Sequence, residues 1–199
     1  MATKKSERIG VIVILVVLLV GALGSYVAMA LSLNNNQSDS SRYQSAYNEY
    51  LAAVEAQKKE LSDQYYAGFS QYASEVAPFE ASGVTQLSTR DLVIGSGETL
   101  STDSEYSAYY IGWNPKGKIF DQSILDGALK SPLSGGNMID GWNRGIIGMK
   151  FGGVRELIIP SDLAYGSNGS GEDIPANTPI KFVVMVIPKV ADIEIPAEL

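Results

Sequence analysis

The chain has 199 residues, 45% apolar and 9% aromatic, enough for one or two small domains with a well-packed core and too few for a large multidomain enzyme. It contains neither Cys nor His, which excludes thiolate nucleophiles, disulfides, the usual zinc ligands and imidazole acid–base chemistry. The formal charge is −7; setting aside Lys4, Lys5, Glu7 and Arg8 leaves 12 basic against 21 acidic side chains, a net −9, and such a surface repels phosphate backbones, so no nucleic acid is expected among the partners.

From Ile9 to Leu33 no residue is charged, and Val, Leu, Ile, Ala and Gly dominate. As a helix these residues reach about 37 Å, enough to cross a hydrocarbon core of about 30 Å with some tilt. Basic residues just before the span and acidic ones after it place the N-terminus in the cytoplasm and everything beyond about Asn34 outside it. The expectation is a single-pass signal anchor over 9–33 in the cell membrane, after a cytoplasmic segment over 1–8. A cleaved signal peptide is the competing reading, because Ala28-Met29-Ala30 has the small-x-small form of a cleavage site. Both export the remainder.

A polar linker, 34–41, precedes a stretch from Tyr43 to Val76 with no Pro and a single Gly. Its apolar and aromatic stripe runs Tyr43, Tyr47, Tyr50, Val54, Lys58, Leu61, Tyr65, Phe69, Tyr72, Val76, which predicts one long amphipathic helix over 42–77. The pattern returns every eleven residues, close to the pitch of a straight helix, so a heptad coiled coil is not favoured. At about 54 Å the helix would overhang a domain of ordinary size unless it breaks near Gly68. Two uses of the stripe stay open: a homodimeric stalk through 42–77, or packing against the chain's own domain.

Beyond Pro78 short runs alternate with Gly-rich turns, and Asp91–Ile94, Glu105–Gly112, Val154–Ile159 and Ile180–Ile187 read as antiparallel strands. Ile139, Trp142, Ile146 and Met149 fall at helical spacing with Asn137 available as N-cap. The expected fold class is α+β, a curved antiparallel sheet wrapped around one short helix.

Over 84–190 the sequence resembles the FKBP-type peptidyl-prolyl cis/trans isomerases. The match is an ordered series: Asp91-Leu92-Val93-Ile94-Gly95-x-Gly97, Tyr110-Ile111-Gly112, Gly117-Lys118-Ile119-Phe120-Asp121, Met138-Ile139-x-Gly141-Trp142, Gly145-x-x-Gly148-Met149, Gly152-Gly153, Ile158-Ile159-Pro160, Leu163-Ala164-Tyr165-Gly166, Ile174-Pro175-Ala176-Asn177 and Phe182. Each fragment alone is weak; order and spacing carry the resemblance. For nearly all of the glycines at 112, 117, 141, 148 and 166 the expected role is turn geometry.

The resemblance implies an apolar pocket for a proline ring, with Trp142 as its floor and Tyr110, Phe120, Met138, Ile139 and Phe182 as its walls. Tyr165 would supply a hydroxyl, Asp121 a carboxylate beside the twisting amide, and Leu129 and Ile174 further substrate contacts. A residue in the first turn of a helix has an unpartnered N–H, so Ile139 can also donate to a substrate carbonyl. Such a site needs no cofactor, no metal, no nucleophile and no proton transfer, which suits the composition. Proline-containing polypeptides are the implied partners, and macrolide-type inhibitors follow by resemblance. The sequence departs from the usual family pattern at the rim: Leu129 and Ser131 stand where aromatics are common, and the 166–174 loop ends in Ser170-Gly171-Glu172-Asp173.

A non-catalytic chaperone or docking module, using the same cleft and the helical stalk, shares every one of these features, since fold does not dictate function. Metal binding around Glu172 and Asp173 lacks the ordered acidic spacing of a calcium loop. Asn36-Gln37-Ser38 and Asn168-Gly169-Ser170 have the form of glycosylation acceptors, and 191–199 reads as a tail.

Overall fold

The computed structural model describes residues 39–136 and 138–197. The expected membrane span over 9–33, the start of the polar linker and the proposed cap Asn137 lie outside the described residues. Among the described residues no helix is long and apolar enough to cross a membrane. The chain divides into two compact units, one over Val54–Asp192 and one containing the described residues 39–53 and 193–197.

Residues 39–70 are helical and form α1, followed by a 3-10 turn at Gln71–Glu75. Asp39, Ser40 and Ser41, expected in the linker, already belong to this helix. The tightening comes just after Gly68, whose carbonyl accepts from Gln71 Nε2 at 2.9 Å. Within the smaller unit the rings of Tyr43, Tyr47 and Tyr50 stack in succession, with centroids 6.2 and 5.9 Å apart, as side chains three and four apart on one helix face do.

The larger unit carries β1 (Ser88–Val93), β2 (Tyr106–Trp113), β3 (Ile119–Gln122), β4 (Ile124–Leu125), β5 (Ala128–Leu129), β6 (Leu133–Ser134), helix α2 (Asp140–Gly145), β7 (Val154–Ile159) and β8 (Ile180–Pro188). The main sheet has the order β1-β7-β8-β2-β3, with β6 paired to β2, and its pairings are antiparallel. Its spine is the β2–β8 pair, in unbroken register from Tyr106 opposite Pro188 to Trp113 opposite Lys181. β4 and β5 form a separate hairpin. The two residues joining them, Asp126 and Gly127, both have positive φ, the requirement of the tight turn whose twist suits a two-residue hairpin.

Side chains alternate faces along a strand, and here both faces are covered. Tyr106, Ala108, Leu157, Ile159, Ile180, Phe182, Val184 and Val186 point inward to Trp142 and Ile146. Tyr109, Ile111, Trp113, Val154, Val183, Met185 and Ile187 point outward to Phe69, with Tyr65, Tyr66, Tyr72 and Val76 packed around it. Strands buried on both sides lose the polar alternation of a half-exposed sheet, and from Phe182 to Ile187 every residue of β8 is buried.

This outer cluster answers the question left open for the stripe: from Tyr65 to Val76 it packs on its own sheet. The reason is elementary. Leaving Phe69, Tyr109, Ile111 and Trp113 in water would forgo roughly 1.5–3 kcal/mol for each large side chain, and Phe69 is fully buried here. Trp113 Nε1–H donates to the Ala77 carbonyl at 3.0 Å and the Phe79 amide to Pro115 at 3.0 Å, tying down the connection. The compact unit thus begins upstream of residue 84.

α2 is shorter than the 139–149 spacing suggested. Ile139, with φ −58° and ψ 150°, is its N-cap, and the helix ends at Gly145. The helix sits close on β7 because Gly141 and Gly145 leave room: side chains there would run into Ile159 and Leu157. Gly141 therefore serves close approach rather than a turn, unlike Gly117, Gly148 and Gly166, which do have positive φ.

Candidate active site

On the inner face, where β2, β3 and β8 meet the end of the 166–174 loop, a cleft of about 350 Å3 opens between Tyr110, Phe120, Asp121, Met138, Tyr165, Ile174 and Phe182, with Ser170, Gly171, Glu172 and Asp173 at its edge. Seven of the ten residues expected to form the site border it.

The aromatic groups meet edge to face. Phe120 and Phe182 are 5.5 Å apart at 85°, Tyr110 and Phe182 6.2 Å at 66°, Tyr110 and Trp142 5.7 Å at 89°, and Trp142 and Phe182 5.3 Å at 88°. Such perpendicular pairs match ring edges to ring faces and gain about 0.5–1.5 kcal/mol each beyond area burial. Trp142 is fully buried, so it underlies Tyr110 and Phe182 and does not face the opening. Its indole Nε1–H donates to the Tyr106 hydroxyl at 3.0 Å.

Gly112 makes the ring arrangement possible. It pairs with Phe182 across the sheet, and a Cβ on it would stand 2.5 Å from Phe182 Cε1 and 2.8 Å from Phe120. Its expected role in a turn is corrected: Gly112 lies in mid-strand, and its missing side chain is the space in which the two phenyl rings meet.

The polar side of the cleft is built on Tyr110 and Asp121. The Tyr110 hydroxyl donates to Asp121 Oδ2, the Gln122 amide donates to Asp121 Oδ1 at 2.8 Å, and Lys130 Nζ stands 3.8 Å from the same oxygen. Burial first, then the hydrogen bond and charge of Asp121, push the Tyr110 phenol above its ordinary range, so Tyr110 is held protonated as a donor. Buried Ser123 locks the strand here, its Oγ accepting from the Tyr110 amide at 2.9 Å while its own amide donates to the Tyr110 carbonyl at 2.8 Å. Ser123 and Tyr106 were not foreseen. The alternation of β2 points to Tyr106 in hindsight, but nothing local singles out Ser123.

Ile139 does not border the cleft; it packs on the inner core. Its carbonyl accepts from the Trp142 and Asn143 amides at 3.0 and 3.1 Å, and among the described residues its own amide has no acceptor. The free N–H expected of it is present, supplied from the cap position rather than the first turn. The Tyr165 hydroxyl likewise has no partner among the described residues.

Leu129 is corrected. It is buried on the opposite side of the sheet, in the cluster with Phe69 and Tyr109, and its amide donates to Ser62 Oγ of α1 at 2.9 Å. The Asp126-Gly127 hairpin turns the chain back and carries Leu129 under the helix, away from the proposed substrate. Among the described residues no group of three or more acidic side chains is gathered as a metal ion would require.

An antiparallel sheet packed on one short helix, with a cleft walled by aromatic rings at its inner face, defines a small α+β domain able to take up an apolar group. Residues 97–187 match the family model described as FKBP-type peptidyl-prolyl cis-trans isomerase. An FK506-binding protein of Neisseria meningitidis serogroup B is 38% identical over 98 residues, covering 49% of this chain and 90% of the relative. FK506-binding protein 4 of Rhizopus delemar is 38% identical over 97 residues, 49% of this chain and 25% of that protein. Among solved structures, AtFKBP13 aligns with a TM-score of 0.46 at 34% identity, over 52% of this chain and 93% of the other. The chain belongs to the FKBP-type peptidyl-prolyl cis-trans isomerase family, and it spans about a quarter of the length of several larger relatives it matches.

Proposed function

We propose that the chain accelerates rotation about X-Pro peptide bonds, and that it does so on exported polypeptides. The observation that carries this reading is the cleft whose walls are Phe120, Phe182 and Tyr110, packed over Trp142, with Asp121 on its polar side.

The barrier to peptide rotation, about 18–20 kcal/mol, comes from resonance that places charge on the carbonyl oxygen of the planar form. A site that removes water from that oxygen disfavours the planar state, and donors aimed at the twisted amide favour the transition state alone. The proline ring fits the apolar walls, and the Tyr165 hydroxyl, which borders the cleft, is the available donor there. Asp121, kept in place by Tyr110 and the Gln122 amide, borders the cleft and is the carboxylate that would lie beside the twisting amide. A millionfold acceleration requires about 8 kcal/mol, within reach of a few hydrogen bonds in a dry site.

The uncharged run over 9–33 and the basic residues before it support tethering in the cell membrane with the domain outside the cytoplasm. Pairing of two copies through 42–77 is narrowed to its N-terminal part, since Tyr65, Phe69, Tyr72 and Val76 are occupied by the sheet; the Tyr43, Tyr47 and Tyr50 face is what a second copy would meet. Macrolide-type inhibitors would enter the same cleft.

The test is cis/trans exchange of X-Pro peptides followed by NMR with the full chain. Phe120→Ala and Asp121→Ala are each expected to lower kcat/KM about ten- to hundredfold. Aggregation suppression without any exchange would point instead to a non-catalytic chaperone.

A further inference from the structure

Three carboxylates, Asp121, Glu172 and Asp173, border the cleft. Two are already engaged: Asp121 by Tyr110, the Gln122 amide and Lys130, and Asp173 by Lys118. Glu172 is exposed and has neither an ion pair nor a hydrogen bond among the described residues. Among the described residues the ion pairs at this mouth set two lysines against three carboxylates, on a chain that is itself −7.

Glu172 is not on a loose tip. Asn114, only 6% exposed, donates from Nδ2 to the Asp173 carbonyl at 2.8 Å, while its Oδ1 accepts the Lys116 and Lys118 amides at 3.0 and 3.1 Å. The Ser170 amide reaches the Ile174 carbonyl at 2.7 Å and the Gly169 amide the Tyr165 carbonyl at 3.2 Å, closing the loop at its base. A buried polar side chain and two backbone bonds thus hold the loop that carries Glu172 at the edge of the aromatic cleft.

A carboxylate beside low-dielectric walls focuses its field on whatever enters. Tyr165 and Phe120 line the same cleft, and an aromatic ring attracts a cation placed over its face. With the proline ring in the apolar part, its neighbours in sequence lie at the mouth. Resting on the isomerase reading above, we infer that the cleft selects segments with Lys or Arg immediately beside the proline, and that Glu172 is the specificity-determining residue.

The experiment compares peptides with Lys, Leu or Glu on either side of a single proline, using the full chain, with exchange rates and Kd both read by NMR. The Lys peptides are expected to exceed the Glu peptides by about two- to fivefold in kcat/KM and in affinity, the range of an exposed ion pair. The preference should vanish in about 1 M salt, where the Debye length is about 3 Å. Glu172→Gln removes the preference and Glu172→Lys reverses it. Turnover with a Lys-to-Glu ratio that neither variant alters overturns this inference and leaves the isomerase reading standing. No turnover, but a Kd ratio that follows both variants, supports the selectivity and rejects the isomerase reading. Neither turnover nor a responding Kd ratio removes both.

Discussion

Gly112 and Phe182 face each other across the β2–β8 pair, and the volume a side chain on Gly112 would need is filled by the rings of Phe182 and Phe120. One methyl group there has nowhere to go, because the contact of 2.5 Å would be made to a ring wedged between Trp142, Tyr110 and Phe120. Gly112→Ala is expected to cost about 1–3 kcal/mol by overpacking and to reduce X-Pro exchange more than tenfold by displacing both phenyl walls. Urea denaturation and peptide exchange measured on the same variant check both parts; a variant with ordinary stability and ordinary turnover would show that the rings need not meet there.

The Trp142–Tyr106 hydrogen bond fixes the indole from below. Tyr106→Phe keeps the shape but leaves a fully buried indole N–H unpaired, a loss of about 1–3 kcal/mol. Thermal unfolding reads the loss, and Trp142 fluorescence should change with it.

Tyr109 offers the opposite case. Its hydroxyl is buried without a hydrogen-bond partner among the described residues, and burial, then the neighbouring Tyr65, pushes its phenol up to about 12. A raised folded-state pKa means that the neutral phenol is favoured in the fold. Its contribution is complete below pH 10 and is lost as the pH rises through about 12. Tyr109→Phe is expected to raise stability at neutral pH by about 1 kcal/mol and to flatten the decline between pH 10 and 12. Denaturation midpoints over that range give the answer, and a less stable variant would reveal an unrecognised partner for the hydroxyl.

Phe69 tests whether α1 is part of the domain. It is fully buried against Tyr109, ring centroids 6.3 Å apart. Phe69→Ala is expected to cost about 3–5 kcal/mol, while the folded fraction keeps its exchange rate within about twofold, because the residue lies on the far side of the sheet from the cleft. The corresponding truncation, a fragment beginning at residue 80, should bind hydrophobic dyes and melt earlier than the full chain. Equal stability of the two forms would mean that the outer face does not require the helix.

The strands were legible where their signal was local. Glu105–Gly112, Val154–Ile159 and Ile180–Ile187 were located to within a residue or so, because long apolar runs bounded by turns have few other uses. The Asp126-Gly127 dipeptide is a strong turn signal, but the two-residue strands on either side of it have no periodicity to mark them as strands. Of the site, the aromatic residues came from the ordered motifs. Leu129 was misplaced because its neighbours in space are decided by that hairpin, and Gly112 because a mid-strand glycine needed for ring clearance looks the same in sequence as a turn glycine.

What the sequence determined by itself was the list of parts: a chain without Cys or His that cannot run imidazole or thiolate chemistry, a helix-forming stripe, an antiparallel set of strands, and an ordered series of family motifs. Which surface the stripe covers, which glycine clears a path for two rings, and which acids at the mouth are paired with lysines were decided only in three dimensions. The reason is that periodicity states that a face is apolar but not what it meets. Contacts such as Phe69 on Tyr109 or Lys118 on Asp173 join residues far apart in the chain, and no local pattern encodes them.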